Sequence, residues 1–299
     1  MSLKELIVMA TPSPLVKVFA APYVAGDSIE KAIDTAKSLW EKKKLCSTVD
    51  LLGEELENDE DVKDTVKTYE KLIKKLGKQP YATISLKPTQ LGSHRGTKHC
   101  EENIEKLVVL AGEYDNMITI DMEDHNYTDM TLEIYRNLKK KYSNVGTVLQ
   151  SRLFRTKDDI LSLKGLNAHI RICIGIYREP PEIALQDKTE MKKKLLEYVE
   201  LLFKEGHYPA IGTHEEWVIK ESINIAERLN IPKNGYEIQM LMGVPRDRLQ
   251  QELVSNGITV RLYVPFATRW KYAIGYCKRR LIANPMMGVY VLKNLVKRH

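Results

Sequence analysis

The sequence predicts a (β/α)8 barrel, and three observations lead to that fold. Short apolar runs, most of them rich in Val, Ile, Leu or Tyr, alternate with charged amphipathic stretches, the pattern of strands buried on both faces between helices. There are eight such runs, and eight parallel strands close into a barrel. The first run ends Leu51-Leu52-Gly53-Glu54, without the G-x-G-x-x-G turn that an open doubly wound sheet uses.

In chain order the runs are 45–52, 81–86, 117–121, 145–150, 169–177, 209–213, 236–242 and 259–266. The stretches 61–76, 101–113, 130–142, 190–205, 216–229 and 246–256 lie between them, with apolar residues every three or four positions. Leu195, Leu196, Val199 and Leu202-Phe203 show that helix period in one of them. Residues 1–40 read as a short N-terminal helical extension, and 289–296 as a closing C-terminal helix. No linker or low-complexity segment divides the chain, so residues 1–299 read as one domain.

Composition bounds the function. With 43% hydrophobic and 29% charged residues, the chain can fill a large core beneath a soluble surface. No apolar run is long enough to span a membrane, and residues 1–21 lack the order of a secretory signal. The expectation is a cytoplasmic protein. The net charge of +6 comes from lysines spread over helical faces, which argues against nucleic-acid binding. Peripheral contact with the inner face of the cell membrane through residues 293–299 fits that charge. Cys46, Cys100, Cys173 and Cys277 form no C-x-x-C pair, so neither zinc nor a disulfide framework follows. Trp40, Trp217 and Trp270 read as packing residues, and His94, His99, His207 and His299 as surface residues.

A barrel places its chemistry at the carboxyl ends of its strands. Those ends carry Glu54, Lys87, Asp121 with Glu123, Gln150 with Arg152, Arg171 with Tyr177, Thr213 with His214, Gln239, and Tyr263. Charged groups so near a core are costly unless paired or used. Lys87, Arg171, Arg279 and Arg280 make the rim cationic, which suits an anionic substrate or a phosphate-bearing cofactor. His125, His169 and His214 lie on separate segments without metal-ligand spacing, and no Ser or Cys sits in a nucleophile elbow. Residues alone thus lead to a cofactor-dependent barrel acting on a small anion, with no metal site.

Several segments resemble the proline dehydrogenase family, in its monofunctional bacterial form. They are Leu86-Lys87-Pro88-Thr89-Gln90-Leu91-Gly92, Ile120-Asp121-Met122-Glu123-Asp124, Val148-Leu149-Gln150-Ser151, Gly212-Thr213-His214-Glu215 and Tyr236-Glu237-Ile238-Gln239-Met240-Leu241. Tyr276-Cys277-Lys278-Arg279-Arg280-Leu281, after Arg261-Leu262-Tyr263-Val264-Pro265, completes the set in the family's order. The resemblance implies an FAD-dependent oxidation of L-proline to Δ1-pyrroline-5-carboxylate by hydride transfer from C5 to the flavin N5. It further implies a quinone-type electron acceptor and a downstream pyrroline-5-carboxylate dehydrogenase. Carried over by position, Arg279, Arg280 and Lys87 would bind the substrate carboxylate, and Tyr263, Tyr276 and Leu241 would wall its ring. Asp121 would hold the cations in place, and Arg171 would lie near the flavin N5. Met122, Gln150, Ile174, Gly175, Ile176, Thr213, His214 and Gln239 match positions that contact the cofactor.

The chain departs from the family mainly in the fifth run. Where the family usually reads Arg-x-Val-Lys-Gly-Ala-Tyr, this chain has Arg171-Ile172-Cys173-Ile174-Gly175-Ile176-Tyr177. An acidic residue common after the paired arginines is here Ala283, and Arg152 stands in place of a common tyrosine. Ile176 and Ala283 motivate one alternative, a related cyclic or N-alkylated amino acid as substrate; a homologue that binds without turnover is the other.

Overall fold

The computed structural model describes Val8 and residues 10–283. The stretches 289–296 and 293–299, and the side chain of Ala283, lie outside the described residues.

Eight strands, β1 (Cys46–Leu51), β2 (Ala82–Leu86), β3 (Ile118–Ile120), β4 (Val145–Gln150), β5 (His169–Cys173), β6 (Tyr208–Gly212), β7 (Glu237–Leu241) and β8 (Thr259–Phe266), form a closed parallel barrel in sequence order. Closure is made by β1 beside β8, in a register that sets Cys46 against Arg261 and Leu51 against Phe266. The helices are α1 (Ser13–Ala20), α2 (Ile29–Lys43), α3 (Asp59–Leu76), α4 (Thr97–Glu113), α5 (His125–Lys139), α6 (Thr156–Ser162), α7 (Lys188–Lys204), α8 (Glu216–Arg228), α9 (Asp247–Ser255) and α10 (Trp270–Ala283).

Local chemistry explains where these elements start and stop. Asn58, Asp124 and Asp187 accept hydrogen bonds from the first-turn amides of α3, α5 and α7, which satisfies donors that a helix start leaves open. The fifth strand ends at Cys173, earlier than the apolar run extending to Tyr177, because Gly175 turns the chain at φ +89°. Helix α6 was not anticipated. It is only seven residues long, too short for an amphipathic period to develop.

Outward-facing strand residues such as Ile84, Ile118, Ile170 and Ile238 pack with Leu72, Leu107, Leu132, Val199 and Ile219 of the helices into the main core. A second cluster gathers Val16 from α1 and Ala273, Tyr276, Cys277 and Leu281 from α10 over Leu52 and Ala267. Leu52 and Ala267 directly follow β1 and β8, so this cluster seats α10 across the carboxyl face of the barrel. Two expectations about single residues fail. His207 is buried, its Nδ1 accepting the Ala168 amide at 3.1 Å, whereas Trp217 is 45% exposed.

Candidate active site

Residues two apart on a strand face the same side, so Ser85, Lys87, Asp121, Arg171, Glu237, Gln239, Arg261 and Tyr263 share the barrel interior, where their side chains meet. This interior is polar, unlike the branched apolar layers that fill most such barrels. Asp50 on β1 is fully buried and accepts from Lys87 Nζ at 2.9 and 3.0 Å. The same ammonium donates to the Tyr263 hydroxyl at 3.2 Å and lies 3.4 Å from Asp121 Oδ2. Its three N–H groups are therefore shared among protein acceptors.

Asp121 is the hub. Its Oδ1 accepts from Ser85 Oγ and Arg171 Nη1, both at 2.6 Å, and its Oδ2 from Tyr263 OH at 2.6 Å. Burial pushes its carboxyl up, but Arg171, Lys87 and the two hydroxyls pull it below the usual aspartate range. Asp50 behaves differently. Burial, reinforced by Asp121 and opposed by Lys87, carries its carboxyl up to about 6. Arg171 also donates through Nε to Gln239 Oε1 at 2.5 Å, and its guanidinium lies 5.2 Å from the Tyr263 ring centre.

Above this layer, α10 contributes both arginines. Arg279 Nη2 donates to Glu54 Oε1 and Oε2 at 2.5 and 2.6 Å, and its guanidinium covers the Tyr177 ring at 5.4 Å. Arg280 lies 5.0 Å from the Tyr276 ring centre, is attracted to Tyr263, and opposes a charge on His214. Neither arginine projects into bulk solvent; both are half-buried. Leu241 donates its amide to His214 Nε2 at 2.9 Å. Burial, aided by Arg280 and Arg246, pushes the His214 imidazole down to about 4, so it stays neutral near pH 7.

The β3 end adds a second buried carboxyl. Glu123 accepts from the Thr89 amide at 3.0 Å and the Thr89 hydroxyl at 2.6 Å, and burial pushes it up to about 7. Its backbone carbonyl accepts from Gln150 Nε2 at 2.8 Å. Asp124, next in sequence, is the cap of α5.

Three buried polar atoms at the mouth, Gln150 Oε1, Arg171 Nη2 and Arg280 Nε, have no hydrogen-bond partner among the described residues. Native proteins seldom leave such groups unpaired. Gly175 turns the chain at φ +89°, a conformation that strains any side chain, and a Cβ there would come within 2.2 Å of Gln150 Oε1. One acceptor, two cationic donors and a bare backbone turn fit a flat heteroaromatic group that carries both carbonyls and N–H, as a flavin does.

The family model for proline dehydrogenase matches residues 32–176 and 186–287. The chain belongs to the proline dehydrogenase family. It is 34% identical over 284 residues to proline dehydrogenase of Deinococcus radiodurans, covering 93% of this chain and 90% of that one. It is 32% identical over 280 residues to proline dehydrogenase 1 of Bacillus subtilis subsp. natto, covering 93% and 91%. Among solved structures, its fold is similar to proline utilization A (PutA) from Bdellovibrio bacteriovorus inactivated by N-propargylglycine. There the TM-score is 0.81 at 23% identity, over 89% of this chain and 32% of that longer one.

Of the residues matched to the family's pattern, Lys87, Asp121, Arg171, Gln239 and Tyr263 form one bonded network. Arg279, Arg280 and Tyr276 stand over it on α10, while Leu241 and His214 meet through one hydrogen bond beside it. Met122 and Gln150 are buried at the β3 and β4 ends, and Ile174, Gly175 and Ile176 form the half-buried turn after β5. Thr213 is turned to its own loop, its hydroxyl accepting the Glu215 amide at 3.2 Å. Reasoning from strand ends missed Asp50, Ser85, Glu237 and Arg261. The available signal was a polar or charged residue inside an otherwise apolar run. Among the described residues no group of three or more His, Cys, Asp or Glu side chains is placed to hold a metal ion.

Proposed function

We propose that this chain oxidises L-proline to Δ1-pyrroline-5-carboxylate with bound FAD. One observation carries the reading: two half-buried arginines on α10 stand at the barrel mouth, Arg280 in charge contact with Tyr263 of the Lys87–Asp121–Arg171 network and Arg279 paired with Glu54, beside unpaired polar atoms suited to a flavin. Bound FAD supplies the hydride acceptor, at N5 of its ring.

The protein's own part is seating and water exclusion. Arg279 and Arg280 receive the substrate carboxylate as charge-assisted partners. Arg279 is already paired with Glu54, so the incoming carboxylate replaces one carboxylate by another. Lys87 has no idle N–H; it adds positive field and gives up a contact to Asp50 or Tyr263 if it binds directly. Tyr263, Tyr276 and Leu241 wall the apolar ring, and Asp121 keeps Lys87 and Arg171 in place. At the substrate, the C5–H bond breaks with its electron pair, C5=N forms, and the N–H proton leaves to solvent. The amine must enter unprotonated, which a cationic mouth favours by repelling its charged form.

Gln150, Arg171 and Gln239 would hold the polar edge of the cofactor, and Met122, Ile174, Gly175, Ile176, Thr213 and His214 its surroundings. Within this reading residues 1–299 act as one catalytic domain of a cytoplasmic protein that touches the membrane peripherally to reach a quinone acceptor. Among the described residues no helix is long and apolar enough to cross a membrane. The imine product, once hydrolysed to an aldehyde, calls for a downstream dehydrogenase. Ile176, half-buried beside the Gly175 turn where the family carries alanine, favours a second reading with a related cyclic or N-alkylated amino acid as substrate. A screen of cyclic and N-alkylated amino acids with a dye electron acceptor tests both readings. Turnover with L-proline foremost supports the first, preference for another amine supports the second, and no turnover with any of them defeats both.

A further inference from the structure

Below the Asp121–Arg171 layer lies a second buried ion pair that the reaction does not use directly. Arg261 Nε donates to Glu237 Oε1 and Oε2 at 2.9 and 3.1 Å, and Arg261 Nη1 donates to the Ser47 carbonyl at 3.0 Å. Both residues are buried, deep in the barrel and away from its mouth. Gln239 joins this pair to the site above. Its Nε2 donates to Glu237 Oε1 at 2.5 Å, and its Oε1 accepts from Arg171 Nε at 2.5 Å.

We infer that Glu237 and Arg261 are positioning residues that fix the amide of Gln239 and, through it, the orientation of Arg171 toward the cofactor. The inference rests on the reading that Arg171 faces a flavin. An ionised carboxylate only accepts hydrogen bonds, so Glu237 can face nothing but the NH2 end of Gln239. The opposite end of the amide, the oxygen, must then face Arg171. A flipped amide would set N–H against N–H on one side and oxygen against carboxylate on the other. Burial pushes the Glu237 carboxyl up, and Arg261, His169 and Gln239 together carry it below its usual value, which keeps it acceptor-only. With Nε held by Gln239 and Nη1 by Asp121, Arg171 has a single orientation. In that orientation Nη2 remains buried and unpaired, as the donor left for the bound group. Such a fixed donor aimed at developing charge acts without reorganisation.

Glu237→Gln lets both amides turn and removes the constraint. Because it also leaves Arg261 buried without a counter-charge, the double variant Glu237→Gln/Arg261→Gln serves as its companion. Each is prepared with FAD beside the wild type, and the two-electron midpoint potential, the flavin affinity and the KM and kcat for L-proline are measured. The inference expects the double variant to hold reduced flavin about tenfold less well relative to oxidised flavin, a fall in potential of about 30 mV. It further expects kcat to fall with that potential while KM changes little, and Arg261→Lys to shift the potential less than Arg261→Gln. A folded double variant with wild-type potential and kcat overturns the inference while leaving the proposed activity intact. Loss of fold in the double variant makes the pair purely structural and overturns it too. Failure of the wild type to bind FAD overturns both this inference and the function on which it rests.

Discussion

Arg279 on α10 and Glu54 just beyond β1 are joined through one guanidinium nitrogen and both carboxylate oxygens, with 30% and 11% of their side chains exposed. The contact ties α10 to the rim of the barrel. In the proposed function it also occupies the guanidinium that receives the substrate carboxylate. Arg279→Met removes a charge-assisted partner worth about 1.5–3 kcal/mol, so kcat/KM for proline falls roughly ten- to hundredfold, mainly through KM. Glu54→Gln acts in the opposite direction, lowering KM by about fivefold, or roughly 1 kcal/mol of competing pairing. Steady-state kinetics of the two variants checks both signs.

Lys87 stands between Asp50 and Asp121 with almost no access to water. Replacing it by methionine leaves Asp50 buried without its cation, while Asp121 keeps Arg171, and destabilises the fold by about 3–5 kcal/mol. Asp50→Asn added to Lys87→Met removes the uncompensated group and recovers a large part of the loss. Chemical denaturation of the wild type and of the single and double variants at pH 8, where Asp50 is ionised in the wild type, reads this directly.

Glu123 sets a pH dependence of stability. Its folded-state carboxyl is raised from 4.5 to about 7 by burial, so the folded protein holds that proton more tightly than the unfolded chain. The resulting stabilisation is present below about pH 4.5 and is lost as pH rises through 7, a swing of roughly 3 kcal/mol at most. Glu123→Gln keeps the site neutral and can still accept the Thr89 amide hydrogen bond. The variant is therefore expected to be more stable than wild type at pH 8 and to lose that advantage toward pH 5.

His214 carries the opposite sign. Its folded value is depressed from 6.5 to about 4 by burial, aided by Arg280, so its contribution is present above 6.5 and lost as pH falls toward 4. Nitrogen NMR is expected to show a neutral ring, protonated on Nδ1 and accepting on Nε2, throughout pH 5.5–8.

Strand-length apolar runs made the barrel legible, since parallel strands buried on both faces leave a signal that needs no partner information. The mouth was legible for a related reason: Lys87, Asp121 and Gln150 stand where an apolar run stops, and polarity there is conspicuous. Asp50, Glu237 and Arg261 were hidden because each lies within a run, and only the pairing of β1 with β2 and of β7 with β8 shows their counter-charges. Glu54 was visible as a rim residue, but its pairing with Arg279 depends on where α10 lies, which no local pattern encodes. His207 looked like a surface residue because polarity usually means exposure, whereas here a backbone amide needed an acceptor.

The account stands or falls on whether the cationic mouth delivers proline to a bound flavin. Anaerobic titration of the FAD-loaded protein with L-proline, followed by visible absorbance, measures that delivery without an external acceptor. Full bleaching by proline in the wild type, with much higher concentrations needed in Arg279→Met/Arg280→Met, is the predicted result. A protein that takes up no FAD, or whose flavin stays oxidised in saturating proline, contradicts it.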